Sequence, residues 1–147
     1  MSRNIKINPL TILLVDDHDD TRESVRDWLK FQGHTVATAS DVKSALRVGG
    51  KKTFDVLICD VQLPDGDGRT VLEKLNARRK FPAIAISGHC GPSDLARSKA
   101  AGFFTHLVKP FSPEELDALL ATAHRELKRG DSAPAKKKKK SKIKTAR

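Results

Sequence analysis

Three acids, a hydroxyl and an amine stand at the ends of apolar runs in this chain of 147 residues. Asp16 and Asp17 follow Leu10-Thr-Ile-Leu-Leu-Val15, Asp60 follows Phe54-Asp-Val-Leu-Ile-Cys59, Ser87 follows Pro82-Ala-Ile-Ala-Ile86, and Lys109 ends the run from Phe103 to Val108. Carboxylates gathered in one place repel one another unless a cation neutralises them. A hard divalent ion with oxygen ligands does this, and Mg²⁺ takes one or two protein carboxylates while keeping other positions for water or phosphate oxygens. Lys109 adds a point charge for a phosphate oxygen and Ser87 a hydroxyl donor. Together they suit a phosphoryl group held in line for transfer to a metal-bound aspartate, a reaction that asks the protein mainly for positioning and charge neutralisation.

These groups need elements that bring them to one edge. The body alternates strand-length apolar runs with stretches of helical spacing, five times over. Val25, Trp28 and Leu29 lie on one helix face as core, ahead of the stop Gln32-Gly33-His34; Thr35 to Ala39 alternates as a strand. Asp41 is a candidate N-cap for Val42, Ala45 and Leu46, with Gly49-Gly50 closing that helix. A loop with Pro64, Gly66 and Gly68 precedes Val71, Leu72 and Leu75; Leu95 to Ala101 is a helix stopped by Gly102. Ser112-Pro113-Glu114-Glu115 opens the last helix, which buries Leu116, Leu119, Leu120, Ala123 and Leu127. Asp19 and Asp20 read as helix caps. The pattern predicts an α/β fold: a five-stranded parallel sheet with five helices, a doubly wound (βα)5 three-layer sandwich. Ligands of such sheets bind at the carboxyl ends of the strands, where all five polar groups fall.

Composition narrows the classes. Two cysteines, Cys59 and Cys90, are too few for a disulfide scaffold and suit a reducing compartment, and no apolar run reaches membrane-span length. Met1 to Pro9 has no apolar region of leader type, so the expected location is cytoplasmic. The net charge of +10 is unevenly spread: residues 131–147 hold eight of the 28 basic groups and one of the 18 acids. The expected organisation is an N-terminal segment 1–9, a domain 10–129 and a disordered lysine-rich tail 130–147. Its Lys136, Lys137, Lys138, Lys139, Lys140, Lys142, Lys144 and Arg147 could contact nucleic acid or an anionic membrane surface weakly, or simply remain solvated. His18, His34 and His124 lack Cys or His partners at ligand spacing, which argues against zinc.

In the order Asp16-Asp17, Leu57-Ile-Cys-Asp60-Val-Gln-Leu-Pro64-Asp-Gly66-Asp-Gly68, Ser87-Gly88 and Lys109-Pro110-Phe111, the sequence resembles the receiver domains of bacterial two-component response regulators over roughly 10–129. The resemblance implies a flavodoxin-like sandwich and a signalling switch of phosphorelay type rather than an enzyme with turnover. It makes Asp60 the phosphoacceptor, supplied by a sensor histidine kinase or histidine phosphotransfer protein. Asp17, Asp60 and the main-chain carbonyl of Gln62 would bind Mg²⁺ directly, and Asp16 through water. Lys109 would contact the phosphoryl oxygens across a cis bond to Pro110, and Ser87 would move toward the phosphate. His106 stands where the family usually has an aromatic switch residue, and Gln62 and His89 stand where the family tunes phosphate lifetime. With no output domain following, the chain reads as a stand-alone receiver acting on an unknown downstream protein.

Two other classes fit parts of the sequence. One is a polyanion-binding protein working through the tail, with the receiver as regulator or inert scaffold. The other is a haloacid-dehalogenase-type phosphohydrolase, since Asp17-His-Asp19-Asp-Thr21 superficially fits its Asp-x-Asp-x-Thr loop; that reading leaves Asp60 unexplained and finds no later acid pair at a strand end.

Overall fold

The computed structural model describes residues 8–88 and 91–132, with the backbone alone for 128–132. In chain order the elements are β1 (Thr11–Val15), α1 (Asp19–Phe31), β2 (Thr35–Ala39), α2 (Val42–Lys51), β3 (Val56–Asp60), β4 (Gln62–Leu63), β5 (Gly66–Asp67), α3 (Gly68–Asn76), β6 (Ala83–Ser87), α4 (Pro92–Ala101), β7 (Thr105–Val108) and α5 (Pro113–Ser132). Five strands form one parallel sheet in the order β2-β1-β3-β6-β7. This is the flavodoxin-like doubly wound order, whose switch point lies between β1 and β3.

Alternation along each buried strand divides the core between two faces. Leu13 and Val15 of β1, Leu57 and Cys59 of β3, and Ala83 and Ala85 of β6 pack with Ala45, Val71, Leu72 and Leu75 from α2 and α3. Ile12, Leu14, Val56, Ile58, Ile84 and Ile86 point the other way, onto Val25 and Leu29 of α1 and Leu116, Leu120 and Ala123 of α5. Trp28 is only partly buried, because its indole N–H reaches across to Asp117 Oδ1 of α5 at 2.9 Å. Gln32 Nε2 donates to the other oxygen of the same carboxylate at 3.0 Å.

Several helix ends follow local chemistry. Asp41 caps α2 through the Ser44 N–H at 2.8 Å. Ser112 and Glu115 exchange hydrogen bonds at the start of α5, a reciprocal capping box. Gly102 closes α4 with φ +116°, a left-handed turn that a side chain would strain.

The structure differs from the sequence reading at four places. Gly49-Gly50 does not close α2, which continues to Lys51. A Cβ at position 49 would stand 2.8 Å from Leu75 Cδ1 and 3.1 Å from Leu13 Cδ2, so this glycine admits close packing of α2 on α3 and β1. Asp19 and Asp20 are not caps but the first residues of α1; His18 holds the cap position, and the two acids face the positive end of the helix dipole. The segment after Asp60 is a small antiparallel hairpin, β4 with β5. Its Asp65 carboxylate accepts the N–H groups of Val42 and Lys43 at 2.7 and 3.0 Å, tying the hairpin to the start of α2. Finally, α5 runs through Gly130 to Ser132, so the boundary expected at 129 falls inside a helix.

Candidate functional site

Register places the polar strand ends side by side. Val15 pairs with Cys59, so Asp16 and Asp60, one residue further along each strand, emerge as neighbours at the switch point. Asp60 pairs with Ile86 and Ser87 with Val108, which sets Ser87 one residue beyond the Asp60 row and Lys109 one residue further along the neighbouring strand. The Lys109 N–H donates to the Ser87 carbonyl at 2.8 Å, and the Lys109–Pro110 peptide is cis.

Lys109 Nζ lies at the centre. It is 3.0 Å from Asp16 Oδ2, 3.1 Å from Asp60 Oδ2 and 3.2 Å from His18 Nδ1. Asp16 is fully buried and Asp60 is 4% exposed, so one ammonium partly neutralises two carboxylates with little water near. The other oxygen of Asp60, Oδ1, accepts the Gln62 main-chain N–H at 2.9 Å. Burial pushes the Asp60 carboxyl above its ordinary range, although the Gln62 N–H and Lys109 work against that rise. Burial pulls Lys109 down, but its bonds and charge attraction to Asp16 and Asp60 outweigh this and leave it above the usual lysine value.

The donor set fits a hard divalent cation. One ligand atom each from Asp16, Asp17, His18 and Asp60 can be chosen so that all four lie within 4.8 Å of one another. Asp17 Oδ1 is buried there and takes no hydrogen bond. Buried carboxylate oxygens without donors are costly unless a cation faces them.

Not every residue singled out in the sequence joins this cluster. Ser87 is buried at the rim of the same edge, 3% exposed. His106 sits lower on β7, opposite Ala85. Burial and the nearby Arg69 lower its pKa against the pull of Asp94, and its Nε2 is buried without a hydrogen bond. Gln62 is exposed, and the main-chain contact it makes with Asp60 is through its N–H. His89 and the basic residues from Lys136 to Arg147 lie outside the described residues. Asp19 points away, paired with Arg22 at 2.6 Å, so the Asp17-x-Asp19 pair of a phosphohydrolase loop is not assembled.

Two residues escaped the sequence reading. His18 has no ligand-spaced Cys or His partner in the sequence, yet its ring reaches the acid cluster; its place directly after the acid pair is the available signal. Arg69 is 9% exposed beneath α4. Its guanidinium pairs with Asp67 at 2.9 Å and donates to Ser98 Oγ at 3.1 Å and the Asp94 carbonyl at 3.3 Å. A lone arginine in the first turn of a helix carried no signal of burial.

The family model of the response regulator receiver domain matches residues 12–121. The chain belongs to this family. Among curated proteins, it is 34% identical over 109 residues to the probable transcriptional regulatory protein TcrX of Mycobacterium tuberculosis, covering 74% of this chain and 47% of that one. It is 32% identical over 107 residues to the transcriptional regulatory protein HprR of Escherichia coli, covering 73% and 48%. The chain thus matches about half the length of these relatives. Among solved structures, chemotaxis response regulator CheY4 of Vibrio cholerae superposes with a TM-score of 0.74 at 31% identity, covering 79% of this chain and 99% of that one. The receiver domain of sensor histidine kinase PA1611 from Pseudomonas aeruginosa, solved with magnesium coordinated in its active-site cleft, gives 0.73 at 27% identity, covering 80% and 98%.

As a receiver domain of two-component response regulators, the chain is a signalling module. Its acid cluster lies at the carboxyl edge of the sheet, at the switch point of the fold. Among the described residues no helix is long and apolar enough to cross a membrane.

Proposed function

We propose that this receiver accepts a phosphoryl group on Asp60 from a phosphohistidine of a sensor histidine kinase or histidine phosphotransfer protein, with Mg²⁺ present, in the cytoplasm. The observation that carries this reading is Asp60 itself: a buried carboxylate at a strand end, with one oxygen fixed by the Gln62 N–H and the other by Lys109. A carboxylate so held is a preorganised nucleophile, and its partners orient it without covalent chemistry of their own.

In the transfer, an Asp60 oxygen forms the bond to phosphorus as the phosphorus–nitrogen bond of the donor imidazole breaks, and that nitrogen keeps the electron pair. Asp17, Asp60 and the Gln62 carbonyl would hold Mg²⁺, with Asp16 acting through water. The ion would supply charge neutralisation for the phosphoryl oxygens. Lys109 neutralises a further oxygen, and its existing contact with Asp60 keeps the ammonium within reach. Ser87 donates its hydroxyl to the phosphoryl group, and His106, opposite Ala85 two residues below Ser87, couples that movement toward α4. Gln62 and His89 set access of water to the aspartyl phosphate and hence its lifetime. The added charge biases a pre-existing equilibrium between two conformations of the partner-binding surface, a change of a few kcal/mol.

The test is intact mass after incubation with Mg²⁺ and acetyl phosphate. A single labile phosphoryl adduct is expected, lost in Asp60→Asn and with EDTA. An adduct that survives either control overturns the assignment of Asp60 or of the metal.

A further inference from the structure

We propose that His18 supplies an imidazole nitrogen to the divalent-cation site, so that the site favours Mn²⁺ and similar imidazole-accepting first-row cations over Mg²⁺. The inference rests on the reading that Asp16, Asp17 and Asp60 hold a divalent cation, and it concerns which cation they prefer.

The geometry begins with the ring. His18 Nδ1 lies 3.3 Å from Asp16 Oδ1 and 3.3 Å from Asp17 Oδ1. It also lies 3.2 Å from Lys109 Nζ, which is itself 3.0 Å from Asp16 Oδ2 and 3.1 Å from Asp60 Oδ2. An ammonium group has hydrogens to give and no lone pair to offer. Toward Lys109 this Nδ1 can only accept, and toward the Asp16 and Asp17 oxygens only donate, so one ring nitrogen faces all three charged groups and its role follows the tautomer. One ring nitrogen of His18 and one carboxylate oxygen each of Asp16, Asp17 and Asp60 lie within 4.8 Å of one another, so a divalent cation entering there meets the imidazole in the tautomer whose lone pair faces it.

The backbone fixes this orientation. His18 holds the N-cap position of α1 without spending its ring on the cap, since no side-chain capping bond forms there. Its own N–H donates to Asp16 Oδ1 at 2.9 Å, folding residues 16–18 into a tight turn that returns the ring over the acids. The ring is otherwise 65% exposed, so it is free to adjust to an entering ion while Asp16, fully buried, is not.

Donor chemistry then decides selectivity. A set made only of oxygens suits Mg²⁺, Ca²⁺ and Mn²⁺, whereas an imidazole nitrogen is a poor ligand for Mg²⁺ and a good one for later first-row ions. With one nitrogen added to two or three carboxylates, affinity rises along the Irving–Williams order and leaves Mg²⁺ behind.

The experiment uses the full chain with MnCl₂ or MgCl₂ as the probes, in wild type, His18→Asn and His18→Ala. Isothermal titration gives the two affinities, and pulsed electron paramagnetic resonance reads ¹⁴N coupling to bound Mn²⁺. Wild type should bind Mn²⁺ more tightly than Mg²⁺ and show imidazole nitrogen coupling. Both variants should lose that coupling and weaken Mn²⁺ binding by about tenfold or more, the scale of losing a group that supports a metal site. Their Mg²⁺ affinity should stay within roughly a factor of two, because the oxygen donors remain. Equal Mn²⁺-to-Mg²⁺ ratios in wild type and variants, or Mn²⁺ bound without nitrogen coupling, overturn the role of His18 and leave the receiver reading standing. If wild type binds neither ion, both readings fall.

Discussion

Lys109 Nζ lies 3.1 Å from Asp60 Oδ2 although the two residues are 49 apart in the chain, and the same nitrogen reaches Asp16 Oδ2 at 3.0 Å. Two buried carboxylates thus share one ammonium. Removing one partner of a buried pair leaves uncompensated charge, which costs more than the pair contributes when intact.

Lys109→Met keeps the aliphatic stem and deletes the charge. Without divalent cations it should lower stability by about 3 kcal/mol in urea unfolding. Mg²⁺ should restore more stability to the variant than to wild type, because it replaces the missing cation. Equal Mg²⁺ stabilisation of the two proteins contradicts the shared-charge account.

His34 predicts an acid limb to stability. Its Nδ1 accepts the Leu10 N–H at 3.0 Å, which requires that nitrogen unprotonated. Burial, partly opposed by Asp117, lowers its pKa below the ordinary 6.5. The unfolded chain then binds the proton more readily, so stability is full above about pH 6.5 and declines as pH falls toward the lowered folded value. In His34→Gln, which keeps an acceptor but cannot charge, the urea midpoint should fall less over that window. An identical decline in both proteins refutes the assignment.

Gly68 lies under the end of β3. A Cβ there would stand 2.1 Å from the Asp60 carbonyl oxygen and 2.9 Å from Cys59 Sγ. Backbone cannot yield as a side-chain tip can. Gly68→Ala should destabilise by about 2–3 kcal/mol and slow phosphoryl uptake by displacing Asp60, read by urea unfolding and by adduct formation. An alanine variant with wild-type stability and uptake would show that α3 shifts freely.

Asp117 joins α5 to α1 through Trp28 and Gln32. Asp117→Ala strands a partly buried indole N–H and should cost about 1–3 kcal/mol. Trp28, the sole tryptophan, reports the same change directly by altered native fluorescence. Unchanged emission with unchanged stability contradicts the bridge.

Much of this molecule can be read locally. Ser112 and Glu115 cap α5 because the two side chains are three residues apart, a distance the chain fixes by itself. The apolar runs of β1, β3 and β6 identify buried strands because both faces of a parallel sheet are covered. Gly49 shows where local reading ends: its glycine signals a helix stop, yet packing against Leu75 and Leu13 gives the bare backbone another use. Asp65 likewise resembles a turn residue and instead caps a helix 22 and 23 residues away.

The alternating α/β architecture and the residue types at its strand ends are legible along the chain, because hydrophobic period and element length are properties of near neighbours. Tertiary structure alone decided which strand ends meet. The register Val15 to Cys59 sets Asp16 beside Asp60, and the position of β7 brings Lys109 over both. It also set the His18 ring against the acid cluster and buried Arg69 beneath α4. Such contacts span tens of residues, and their charges are held together only where the folded sheet excludes water and positions them within about 3 Å.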